Sequence, residues 1–451
     1  MVNVANAELV EGPQEISVAP PEMEGDFSPR KLKIVAGIIV GQSFGTSILP
    51  YSALMLMLMP LTHQFGWSAA QFSLAVTFLF VFGALSLWPI GRVADKVGVR
   101  PVLLGGTLMV GLVTLGMAFQ TASLWQFYAY YALLGVFGST GVTYTKVVAA
   151  LFTQHRGKAM AILTAETTLA RAGVPLVVNW LLLHQGWHVM YLVFGVTILL
   201  CVPVLFFTIE EPGQHGTTGR FSWRKAKTAD AAPPMPKPDL PGMTIKEALR
   251  DPVFWLSTLA AFIGLFIFNG MFPHLVPALV GKGFSQTTVV ELQSSSILVA
   301  FAGALVGGWA VDRFQTPKIA APICLMAALG AFLTLIVSPS VGGVPLLAAI
   351  LILGSLSFNA LFPMSQYFAT RFFGLGSLTE IVAVQFMATN LFAGFSAPLF
   401  GWIFDKTHSY DIVFMITTGL NLLVALIWFI MPKYRYAANI GQAAAPVKAT
   451  A

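Results

Sequence analysis

The chain has 451 residues, of which 56% are hydrophobic and only 10% charged, and a formal charge of +6; its mean hydropathy is +0.77. Soluble domains carry about 25% charged residues, so a water-facing globular enzyme is excluded. A disordered chain is excluded too, because it would need low hydrophobicity.

In chain order, residues 1–29 are polar and acidic (Glu8, Glu11, Glu15, Glu22, Glu24, Asp26) and read as a disordered cytoplasmic tail. No apolar stretch leads to a cleavage site and residue 2 is Val2, so neither a signal peptide nor N-myristoylation is expected. Twelve apolar runs follow, at 34–59, 69–91, 101–120, 123–150, 158–184, 187–208, 253–280, 287–311, 318–338, 344–369, 378–404 and 411–431. Most are long enough to cross a hydrocarbon core with some tilt. They predict an all-α polytopic membrane protein with one six-helix bundle over 30–210 and a second over 251–432. Between them, 211–250 is basic and proline-rich (Arg220, Arg224, Lys225, Lys227, then Pro233 to Pro238) and reads as a cytoplasmic linker. Residues 433–451 form a second cytoplasmic tail.

The cations alternate with the runs. With the N-terminus inside, 21 of the 25 Lys and Arg residues fall on inner segments and only Lys282 and Lys406 on outer loops. This bias predicts both termini in the cytoplasm of a cell inner membrane. It also accounts for the positive charge without a nucleic-acid partner. Cys201 and Cys324 lie inside apolar runs, so no disulfide framework or metal-binding cysteine pair is expected. No P-loop spacing and no metal or haem ligand cluster occurs in the sequence, so no cofactor is expected.

The halves repeat. Gly91-Arg-Val-Ala-Asp95-Lys96 closes the second run, and Gly308-Trp-Ala-Val-Asp312-Arg313 closes the eighth with the same spacing. Arg156 and Arg371 follow the fourth and tenth runs at nearly the same offset. Two landmarks with one offset point to a duplicated six-helix unit.

The segment Gly91-Arg-Val-Ala-Asp95-Lys-Val-Gly98-Val-Arg100-Pro resembles the loop signature of the major facilitator superfamily, and the likeness runs from about residue 30 to 432. Glycine in such a motif lets two helices approach closely, and the aspartate caps or pairs near a helix end. The resemblance implies that Asp95, Arg92, Arg100 and Arg156, with Asp312, Arg313 and Arg371 in the second half, latch the cytoplasmic face in one state of the transport cycle. The competing reading of each cation is a plain topology charge. Ser43-Phe-Gly45, Pro50-Tyr51, Phe65-Gly-Trp67-Ser68 and Pro89-Ile-Gly-Arg92 are similar to bacterial monocarboxylate and organic-acid carriers. Run one carries no acid and run eight no basic residue before Arg313, where that group often has them.

Ionisable groups deep in apolar runs cost about 2.5–3.5 kcal/mol each on insertion scales, which makes them functional candidates. Lys146 lies ten residues before Arg156 and Glu166 ten after, so a hairpin would place both about 15 Å from the turn, where they can pair. Arg171 projects about 140° away from Glu166 and about 7.5 Å further along the helix. Its planar guanidinium suits a carboxylate ligand gripped through two hydrogen bonds. A bond to backbone carbonyls, a reach back to Glu166 or snorkelling outward is the alternative. Lys146 could also hold the anion. Glu166 and His274 are the groups whose charge could change with a coupled proton. By the resemblance, Tyr51, Asn269, Asn359 and Gln385 sit on helices that can face the cavity; interhelical hydrogen bonding is the competing role for each.

The expectation is therefore a carrier of a small organic anion, a mono- or aromatic carboxylate, taken up with a proton by a monomer in the lipid bilayer. Exchange, a non-carboxylate solute, or a receptor with the same fold are the alternatives. An enzyme is not expected.

Overall fold

The computed structural model describes residues 28–141, 143–144, 147, 156–209, 242–374 and 376–436; within these, the side chains of Asp95, 156–168, Asp312, Phe362, Pro363, Gln366 and Thr379 are outside what it describes. Lys146 therefore lies outside the described residues, as do the side chains of Glu166, Arg156, Asp95 and Asp312.

The first pass is built from two helices, α1 (Pro29–Phe44) and α2 (Ile48–Phe65), separated by a break at 45–47. Ser28 starts α1 by accepting from the Lys31 N–H, with Pro29 at a position that needs no N–H bond. Gly66, at φ 69°, ends α2 in the left-handed conformation that glycine tolerates. α3 (Ala69–Val97) opens with a full capping box, Ser68 and Gln71 satisfying each other's backbone. α4 (Val99–Met117) and α5 (Leu124–Gly138) follow.

α6 (Arg156–Thr208) is two passes rather than one, because the chain reverses at Gly186, φ 78° and ψ 170°. That region of backbone space is open essentially to glycine alone and costs other residues about 1–3 kcal/mol. A Cβ at Gly186 would meet nothing within 4 Å. Gly186→Ala is therefore expected to destabilise by about that amount purely through the backbone. A melting curve of the variant checks it; an unchanged midpoint would mean that the turn relaxes freely.

The second half begins earlier than its apolar run. The end of the expected linker is not loop: Thr244 and Glu247 form a capping box that starts a short helix, α7 (Ile245–Arg250). Hydrogen bonds from Thr244, the backbone one first, hold the Glu247 carboxyl below the usual carboxylate range. Asp251 then caps α8 (Pro252–Met271) and pairs with Arg435. After a break at 272–274 come α9 (Leu275–Gly281), α10 (Gln286–Phe314), α11 (Ala320–Ile336), α12 (Gly343–Phe373), α13 (Leu378–Ala393), α14 (Ser396–Thr407) and α15 (Asp411–Ile430).

Ten stretches among the described residues are long and apolar enough to cross a membrane. One of them, Leu169–Thr208, contains the reversal at Gly186 and crosses twice. α5 packs against α3 and α4. Within the halves, α3 packs on α5, α4 on α6, α10 on α12, and α11 on α15. Close approach is licensed by glycine: a Cβ at Gly135 would stand 2.3 Å from the Leu79 carbonyl oxygen, and one at Gly303 2.7 Å from that of Leu356. The surface is rich in Leu, Phe and Trp (Trp88, Trp125, Trp180 and Trp309 among them), as lipid contact requires. The molecule has the all-helical, multi-pass architecture expected from its runs.

Candidate functional site

Both first passes of the halves are broken, at 45–47 and at 272–274, just beside Pro50-Tyr51 and Pro273-His274. Interrupted helices free backbone and side-chain groups inside a membrane-spanning segment.

Arg171 stands between the levels of the two breaks. It lies 15 residues before the turn at Gly186, and Tyr51 lies 15 before the turn at Gly66. Those turns belong to one face, since Trp187 Nε1 donates to Gln64 Oε1 at 2.7 Å. Both residues thus sit about 22 Å from that face. On α6 the exposed Leu169, Leu176, Trp180 and Leu183 fall within an arc of about 60°, a lipid-facing stripe. Arg171 projects about 200° from Leu169, on the opposite side, and is nonetheless exposed. Among the described residues no hydrogen bond or ion pair reaches its guanidinium, but its charge acts on the Tyr51 hydroxyl.

Tyr51 stacks on Phe272 of the other half with ring centroids 4.4 Å apart and meets Phe80 edge-on at 6.1 Å. Phe272 continues to Phe268, which stacks on Phe358 at 4.1 Å. These rings form an apolar wall across both halves. The Tyr51 hydroxyl is buried and, like the Asn269 amide nitrogen, has no hydrogen-bond partner among the described residues. Asn269 is 1% exposed and lies three residues from Phe272, on one helix face with it. One open cation, two orphaned hydrogen-bonding groups and an aromatic wall therefore converge.

Other expected pocket residues are already engaged. Gln385 donates to Ser257 Oγ and Thr258 Oγ1, each at 3.0 Å, and so ties α13 to α8. Asn359 donates to the Ser355 carbonyl of its own helix at 2.9 Å. His274 is fully buried. Its Nε2 lies 3.0 Å from the Ala397 carbonyl and 3.0 Å from Ser73 Oγ, and its Nδ1 3.0 Å from the Tyr410 hydroxyl. A carbonyl only accepts, so Nε2 carries a proton, and a neutral ring then accepts at Nδ1 from Tyr410.

His274 belongs to a seam between the halves on the face of the Gly66 and Gly186 turns. There Thr77 Oγ1 donates to the Gly394 carbonyl at 2.7 Å, and Gln286 Nε2 donates to Asn179 Oδ1 at 2.8 Å. Asp405 accepts from the Ala69 and Ala70 N–H groups at 2.8 and 2.9 Å. Sequence reading points to none of Asp405, Asn179 or the buried Ser294, whose hydroxyl also has no partner among the described residues. A serine or asparagine in an apolar helix carries no signal of its own; Asp405 repeats the glycine-to-aspartate-to-cation spacing of Asp95 and Asp312.

At the opposite face, Arg92 lies over the Trp88 ring at 3.6 Å. Arg100 donates to the Phe206 carbonyl and sits 4.6 Å from the centroid of its ring. Arg371 donates to Tyr367 Oη at 2.9 Å and also faces the ring of Tyr434. Arg313 is exposed. These contacts join elements of the same half.

A multi-pass helical chain with broken first helices and tightly packed helix pairs has the build of a membrane transporter. The chain belongs to the Major Facilitator Superfamily, whose family model matches residues 38–377 and 292–450; this is a family of transporters, not of enzymes. The membrane sensor protein UhpC of Escherichia coli is 25% identical over 400 residues, 80% of this chain and 83% of UhpC. The 4-hydroxybenzoate transporter PcaK of Pseudomonas putida is 23% identical over 65% of this chain and 68% of PcaK. Among solved structures, a bacterial homologue of the human lysosomal transporter Spinster, inward-facing and unoccupied, matches with a TM-score of 0.70 at 17% identity, covering 89% of this chain and 97% of that one. That likeness is one of fold.

Proposed function

We infer that this transporter moves a small organic anion, a monocarboxylate with an apolar or aromatic body, into the cell together with a proton. The observation that carries the reading is Arg171, an exposed guanidinium about 22 Å along its helix from the Gly186 turn, without a hydrogen bond or ion pair among the described residues. A carboxylate completes it through paired hydrogen bonds. Tyr51 and Asn269 supply further hydrogen bonds, and the Phe268, Phe272 and Phe358 rings accept the body of the solute. By their equal spacing from Arg156 in the sequence, Lys146 and Glu166 form a pair whose acid carries the proton. His274 serves as a second titratable group, at the seam. The charge bias supports an inner-membrane location with both termini cytoplasmic, and a monomer holds the whole site.

Purified protein in proteoliposomes, offered a panel of aliphatic and aromatic carboxylates with a pH dye inside, tests this. Accumulation of a carboxylate with acidification of the lumen is the expected result. Uptake without acidification would remove the proton; binding without uptake would favour a receptor, the reading that likeness to UhpC supports.

A further inference from the structure

The spacing from glycine to aspartate to cation that closes α3 and α10 occurs a third time. Gly401-Trp-Ile-Phe-Asp405-Lys406 closes α14, on the face opposite the other two copies. Gly401 and Asp405 are four residues apart and share one side of that helix. Both are spent on one target, the first turn of α3.

The fit is close. A Cβ at Gly401 would stand 2.6 Å from the Ala69 carbonyl carbon and the Ala70 nitrogen, so only glycine lets α14 approach there. The two carboxylate oxygens of Asp405 then take the Ala69 and Ala70 N–H groups, one each. Ser68 takes the Gln71 N–H. The free donors at the start of α3 are thus divided between its own cap and a carboxylate of the other half. A negative charge at a helix N-terminus is also favoured by the helix dipole. At the opposite face, a Cβ at Gly91 or Gly308 would meet nothing among the described residues within 4 Å.

We propose that Gly401 and Asp405 form the latch of the far face: the third copy of the motif holds this side of the carrier shut by capping α3 from the other half, and it must release for the far side to open. His274 and its bond to Ser73 lie on the same seam one turn further in, within electrostatic reach of Asp405. The latch depends on membership of the carrier family and not on which solute is carried.

A labelling experiment tests it. Ser73 is fully buried beneath the latch. Ser73→Cys, in a background with the buried Cys201 and Cys324 changed to alanine, is reconstituted in nanodiscs and exposed to a charged maleimide. With Asp405 present, labelling is expected to be slow. Asp405→Asn keeps the shape but turns one acceptor into a donor facing an N–H, and is expected to label about tenfold faster. Gly401→Ala pushes the same contact apart sterically and should act in the same direction. Equal labelling of the parent and Asp405→Asn, both eluting as single species, overturns the latch. If Asp405→Asn does not fold, unchanged labelling of Gly401→Ala overturns it instead. A lower melting temperature without faster labelling also overturns it, since Asp405 would then only support the fold.

Discussion

Arg171→Ala is expected to abolish uptake of the anion while the protein still inserts and elutes as a single species. Removing one partner of a desolvated charge pair costs about 2–5 kcal/mol, which corresponds to a loss of about 30- to 5,000-fold. The fold is expected to tolerate the change, because no described residue relies on this guanidinium for a hydrogen bond or ion pair. Arg171→Lys keeps the charge but loses the planar fork, and should fall between the two. Initial rates and solute binding in proteoliposomes measure the series. Full transport by Arg171→Ala would take the residue out of the site and the anion assignment with it.

Gly135→Val should have the largest effect on the fold. α3 and α5 cross so closely that a Cβ at Gly135 would lie 2.3 Å from the Leu79 oxygen and 2.9 Å from the Gly83 nitrogen, both backbone atoms within a regular helix. Neither can move aside without displacing α3, which also carries the seam with α14. Overpacking of this kind costs about 1–3 kcal/mol and sometimes more, and valine adds two methyl groups to the clash. Gly91→Ala is the matched control, since nothing among the described residues stands within 4 Å of its Cβ position. Yield and thermal unfolding of the detergent-solubilised proteins should separate the two clearly. Equal behaviour would show that α3 and α5 can slide apart at little cost.

The fold was legible because its dominant cause, the length of apolar segments, is written directly in residue order. Pro273 lies in the break at 272–274 and Pro50 just after the one at 45–47, a local cause, since proline removes an N–H and blocks helix continuation. Arg171 stands out in the sequence because a charge in an apolar run has few uses. The polar neutrals do not. Gln385 looks the same in sequence whether it faces a solute or, as here, two hydroxyls of α8. His274 has partners on α3, α14 and the start of α15, from positions 73, 397 and 410, and only folding brings those together. The helix at Ile245–Arg250 is six residues long, too short for periodicity to reveal; its Thr244–Glu247 capping box was the readable signal. Asp405 sits one residue beyond an apolar run, where it passes for an ordinary loop charge, although it repeats a spacing already visible at Asp95 and Asp312.

The Tyr51 hydroxyl and the Asn269 amide nitrogen, without a partner among the described residues, have a practical consequence. A buried polar group without a hydrogen bond costs about 1–3 kcal/mol. A solute that satisfies them binds the native form alone and raises its resistance to heat. Screening candidate solutes by differential scanning fluorimetry should then reveal the cargo before any flux is measured, with compounds lacking an acceptor for those donors leaving the melting curve where it was.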